Sequence, residues 1–63
     1  MEWVEADSEN LPLVKVLAVN RKKSFMIGYL VAEENEHIYC NGDDGYCLNN
    51  VTHYCILTPP HDN

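Results

Sequence analysis

The stretch Phe25-Met26-Ile27-Gly28-Tyr29-Leu30-Val31-Ala32-Glu33 decides the fold. It is rich in aromatic and β-branched residues and bounded by the polar stretches Arg21 to Ser24 and Glu34 to Glu36, the pattern of a strand. Successive strand side chains point to opposite faces. Phe25, Ile27, Tyr29 and Val31 would therefore line one side and Met26, Gly28, Leu30 and Ala32 the other. A strand with one side in water carries polar residues there. This one has none, so its second side calls for cover from the N-terminal segment with Trp3, from the C-terminal tail, or from another protein.

Working outward, Leu13 to Asn20 (LVKVLAVN) reads as a second strand, and the loop Arg21-Lys22-Lys23-Ser24 makes an antiparallel hairpin of the two. On the other side, Glu34-Asn35-Glu36 is a turn and His37 to Cys40 a strand. Asn41-Gly42-Asp43-Asp44-Gly45 consists of residues that tolerate positive φ or bond their own backbone, a strong turn signal. Tyr46 to Leu48 is then a short strand, Asn49-Asn50 a two-residue turn, and Val51 to Leu57 the last strand. Such short connections leave no room for the crossovers that parallel strands need. The prediction is a mostly β domain: a five-stranded antiparallel meander curled into a small, partly open barrel. The alternative makes Tyr29 to His37 a short helix, because Leu, Ala and Glu favour that state, and the fold α+β.

The chain of 63 residues predicts one domain, 1–63, with an irregular lead-in over 1–12 and a tail over 59–63 whose adjacent prolines cannot extend a sheet. Trp3 is the expected anchor of the lead-in. A hydrophobic fraction of 46 % is a globular value. Four basic against ten acidic residues give a net charge of −6, which disfavours direct nucleic-acid binding and anionic membranes and favours a basic partner. The acidic start MEWVEADSEN is unlike a signal peptide, and the longest apolar stretch, Met26 to Ala32, is too short to span a bilayer. A cytoplasmic location is the expectation.

Trp3, Leu11-Pro12, Val16-Leu17, Gly28, Thr52-His53-Tyr54, Leu57 and Pro59-Pro60 follow one another in an order that resembles the short phage- and prophage-encoded "domain of unknown function 551" family, whose members run W…LP…VLV…G…THW.PLP.PP. Tyr54 stands where that pattern has Trp, and Cys55 and Thr58 also depart from it. The resemblance implies a small accessory protein of bacterial viruses or their hosts, and it implies no catalytic residue.

Cys40, Cys47, His53 and Cys55 include the ligand types of a tetrahedral zinc site, with His53 and Cys55 as one half-site and Cys40 and Cys47 as the other. No Cys-x-x-Cys pair is present to support zinc. The competing readings are three small buried thiols, or a Cys40–Cys47 disulfide. His53 with Cys55 as nucleophile lacks an orienting third group, so no enzyme is expected. Asp43-Asp44 lacks the ligand spacing of a calcium loop.

Three functions therefore compete. The first is protein binding, with Trp3, Met26, Tyr29, Leu30 and Tyr54 as candidate contacts and a second copy among the candidate partners. The second is an acidic decoy of nucleic acid, which needs Glu33, Glu34, Glu36, Asp43 and Asp44 on one continuous surface. The third is a small zinc domain.

Overall fold

A computed structural model describes residues 2–57; expectations that fall on Thr58, Pro59-Pro60 and the rest of the tail lie outside the described residues. The strands are β1 (Val4–Glu5), β2 (Val16–Asn20), β3 (Phe25–Ala32), β4 (Ile38–Gly42), β5 (Cys47–Leu48) and β6 (Val51–Ile56). They form one antiparallel sheet in the order β1-β6-β2-β3-β4-β5. No described residue is helical, so the helix over 29–37 is replaced by strand and turn: Tyr29 faces Asn41 and Ala32 faces Ile38 across the β3–β4 ladder.

Two features differ from the five-stranded meander. Part of the lead-in, Val4–Glu5, pairs with β6 as a sixth, edge strand. And β6 does not form a hairpin with β5. It returns to the far side of β2, where Leu17 faces Cys55 and Ala18 faces Tyr54. β5 is only two residues long and offers little to pair with. On β2, β6 instead fills an otherwise open edge and buries Val51 and Tyr54.

The sheet coils strongly, so that β4 touches β6 and β5 touches β2, yet it stays open between β1 and β5. Inside the coil lie Val16, Ala18, Leu30, Ile38, Cys40, Val51 and Tyr54. Ala6, Leu11, Met26, Ala32 and Leu48 pack at its margins, which is how the lead-in adheres to the body.

The three consecutive hairpins of β2 to β5 share one turn geometry. The N–H of the first turn residue donates to the carbonyl four residues on: Asn20 to Ser24 (3.1 Å), Glu33 to His37 (2.9 Å), Gly42 to Tyr46 (2.9 Å). The fourth residue of each turn, Lys23, Glu36 or Gly45, is left-handed, with φ of 64°, 65° and 87°. This is a type I turn closed by a left-handed residue, whose twist suits a hairpin. Side chains stiffen the first two turns: the Asn20 Oδ1 accepts from the N–H groups of Lys22 (3.0 Å) and Ser24 (2.9 Å), and the Asn35 Oδ1 from that of His37 (3.1 Å).

Candidate contact surface on the outer sheet face

The alternation of β3 decides which side chains the protein shows. Leu30 is buried and Met26 partly so, whereas Phe25, Ile27 and Tyr29 are 58 %, 52 % and 46 % exposed. Gly28 explains the choice of side. A Cβ there would clash with the Asn41 carbonyl and sit 3.0 Å from the Cys40 sulfur, so β3 and β4 approach closely only with glycine on the inner side.

Register extends the outer row sideways. Val19 faces Phe25 and Leu17 faces Ile27 on β2, while His53 and Cys55 flank them on β6. Trp3 covers one corner, its ring 6.1 Å from that of Phe25 and tilted by 43°. It is the anchor expected from the sequence, but it remains 41 % exposed and leaves Ile27 open. The outer face of β2 and β3 is thus an apolar surface built from Trp3, Leu17, Val19, Phe25 and Ile27.

Its rim carries the cations. Lys15 precedes β2, and Arg21, Lys22 and Lys23 follow it. The Lys15 ammonium lies 2.6 Å from the Asp43 carboxylate and 5.9 Å from the centre of the Tyr29 ring. Lys15 is next to Val16, which faces Gly28, and Asp43 is next to Gly42, which faces Gly28 from the other side. The ion pair therefore straps β2 to the β4–β5 turn across the outside of β3. The hydrogen bond to Asp43, reinforced by its charge, holds the Lys15 ammonium above its ordinary pKa. Among the described residues Arg21, Lys22 and Lys23 form no ion pair.

The zinc set does not assemble. Cys40 lies on the inner side of β4 and is fully buried, while Cys47, opposite Asn41 on β5, is on the outer side and exposed. His53 and Cys55 share the outer side of β6, separated from β4 by β2 and β3. Cys40 thus faces the side of the sheet away from His53 and Cys55, and among the described residues no three His, Cys, Asp or Glu side chains come together to hold a metal ion. The same opposition of faces rules out the Cys40–Cys47 disulfide, and all three thiols are free. Burial, with a smaller contribution from Cys47, pushes the Cys40 thiol up, keeping it protonated. His53 Nδ1 lies 3.0 Å from the Thr52 hydroxyl, and the Cys55 thiol points to the Ile56 carbonyl at 3.7 Å.

Of the other contacts expected from sequence, Tyr29 is on the outer surface, but Met26, Leu30 and Tyr54 face inward and belong to the core or its margin. The decoy surface is divided: Glu33, Glu34 and Glu36 occupy the β3–β4 turn, while Asp43 and Asp44 follow the opposite end of β4. Four of these carboxylates are engaged: Asp43 with Lys15, Glu33 with His37 Nδ1 at 2.8 Å, Glu36 as acceptor from the Ser8 hydroxyl at 3.5 Å and Asp44 as acceptor from the Tyr46 N–H at 3.4 Å. His37 also links two loops, since the Asn50 N–H donates to its Nε2 at 3.2 Å. Leu17, Val19, Phe25 and Ile27, which complete the outer patch, lie outside the contacts expected from sequence; the signal that marks them is the odd-numbered side of FMIGYLVAE together with its hairpin partner strand. No family model, curated protein or solved structure matches the chain. No described helix is long and apolar enough to cross a membrane.

Proposed function

We propose that this domain is a protein-binding module whose contact surface is the outer face of β2 and β3. One observation carries the reading. Phe25 and Ile27 are each more than half exposed on a single strand, with Trp3 and Leu17 beside them. Scattered apolar residues on a surface are ordinary, whereas a contiguous patch of a few hundred Å², the largest a typical monomer exposes, is often functional. Leaving it in water lowers solubility, so an occupant that removes it from water gains the hydrophobic contribution of about 25 cal/mol per Å². The resemblance of the ordered motifs to the phage and prophage family supports an accessory role in bacterial viruses or their hosts.

The test is a photo-crosslinker, benzoylphenylalanine, placed at Phe25 in one variant and at the exposed Tyr46 in another, in cells that produce the protein. The reading predicts covalent protein adducts from position 25 well above those from position 46. Equal yields, or none from position 25, contradict it.

A further inference from the structure

The charge around the patch names the chemistry of its occupant. The chain carries −6 overall, yet all four of its Lys and Arg residues lie at the two ends of β2, the strand that supplies Leu17 and Val19 to the patch. Lys15 is at one end, neutralised by Asp43; Arg21, Lys22 and Lys23 are at the other, in the hairpin turn joining Val19 to Phe25. Within that turn Asn20 fixes the backbone through its two hydrogen bonds; of the three exposed cations it carries, Arg21 and Lys22 also border the hollow beside residues 47–50. Among the described residues most carboxylates gather in the N-terminal segment and the β3–β4 turn; Glu5 is on the outer side of edge strand β1, and Asp43 and Asp44 lie in the β4–β5 turn at the Lys15 end of the face, Asp43 paired with Lys15, away from Arg21, Lys22 and Lys23. A basic partner matches the net charge and mismatches this face.

Area limits the size of the occupant. With side chains of roughly 200 Å² each, the exposed fractions of Trp3, Phe25 and Ile27 leave on the order of 300 Å² of apolar surface. A standard interface between two folded proteins takes about 800 Å² from each partner, of which somewhat more than half, about 450 Å², is apolar. The patch suits a segment, not a whole domain face.

We propose that the outer face of β2 and β3 receives a short acidic segment of another protein, whose two or three apolar side chains cover Phe25, Ile27 and Leu17 while its carboxylates meet Arg21, Lys22 and Lys23. This rests on the reading of that face as a contact surface and specifies what it contacts. Attraction between the basic turn and the carboxylates orients the segment and speeds its arrival, while the apolar side chains hold it.

Selection of a random peptide library on the immobilised full chain tests the proposal, because it offers acidic, neutral and basic segments to the face at once. The expected winners are net negative and carry apolar residues. Their binding is lost on Ile27→Glu, and falls about tenfold on combined Lys22→Glu and Lys23→Glu, since an exposed ion pair contributes up to about 1 kcal/mol and reversal replaces attraction with repulsion. Both variants keep the native amide spectrum, because all three side chains are exposed. Neutral or basic winners, winners that Ile27→Glu leaves bound, or no enrichment overturn the acidic segment. Adducts from a crosslinker at Phe25 alongside such a result leave the contact surface standing and remove only its assigned partner; absence of both removes both.

Discussion

At the scale of single residues, Gly28 and Cys40 show how tightly the interior dictates identity. Gly28 has neither a turn to make nor a positive φ; it is glycine because the Asn41 carbonyl and the Cys40 sulfur occupy the space of a Cβ. Gly28→Ala must push β4 away along its whole ladder, so the expected loss is about 1–3 kcal/mol by urea unfolding. An unchanged midpoint would show that β3 and β4 have room for a methyl group between them. Cys40 supplies a second expectation. Its folded-state pKa is raised, so the folded chain holds a proton that the unfolded chain releases above its own thiol pKa, and stability is full below that value and declines as pH rises through it. Lys15, also raised, acts in the same sense at higher pH. Stability should therefore fall in the alkaline range, beginning near pH ~8.5. In the native protein Cys47 should react fast with a thiol reagent while Cys40 and Cys55 stay slow, and denaturant should make all three equivalent; three fast native thiols would contradict the burial of two. The thiol and imidazole cluster was legible as a set of residue types, but not as a site. Ligand geometry depends on strand order and on which side of the sheet each residue faces, and neither is written in spacing along the chain.

Among the elements, the three hairpins are the best test of local against tertiary control. Only the last places glycine at the left-handed position; Lys23 and Glu36 adopt the same φ with a Cβ, which costs an L-residue roughly 1–2 kcal/mol before entropy is considered. Gly45 has no neighbour within 4 Å of an added Cβ, so Gly45→Ala isolates the backbone effect and should destabilise by about 1 kcal/mol. Glu36→Gly should do the opposite, raising the thermal midpoint by the equivalent of about 0.5 kcal/mol, since glycine's flexibility in the unfolded chain offsets part of the relief. If both variants move the midpoint in the same direction, the common turn geometry is wrong. Asn41–Gly45 was readable as a turn because its residues suit left-handed backbone. Lys23 and Glu36 carry no such signal, and those hairpins were readable only from the apolar runs that flank them. β6 was legible as a strand, but its neighbour was not. Asn49-Asn50 has the composition of a tight turn, yet Asn50 uses its positive φ of 59° to send the chain across to β2, with its N–H bonded to His37. Sequence adjacency favoured β5. What wins is a partner strand of five residues, set against one of two.

For the whole molecule, the two-sided apolar character of β3 sets the functional argument. One side closes the core. The other receives partial cover from Trp3 and is otherwise left outside, flanked by every Lys and Arg of an acidic chain. Average charge pointed towards a basic partner, whereas its placement on the surface points to an acidic one. Salt screens exposed charges from one another beyond about 8–10 Å, so a partner seated on this face meets the charges at its rim and not the average over the chain.

The most direct test is the yield of protein adducts from a crosslinker at Phe25 when Ile27 is changed to Glu. Ile27 is exposed, so its replacement should cost the isolated chain about 1 kcal/mol or less, and loss of folding cannot account for the outcome. The account predicts an adduct yield that falls to the level of the Tyr46 control in a fully folded variant. A yield that Ile27→Glu leaves intact would place the contact on some other part of the molecule and contradict the account.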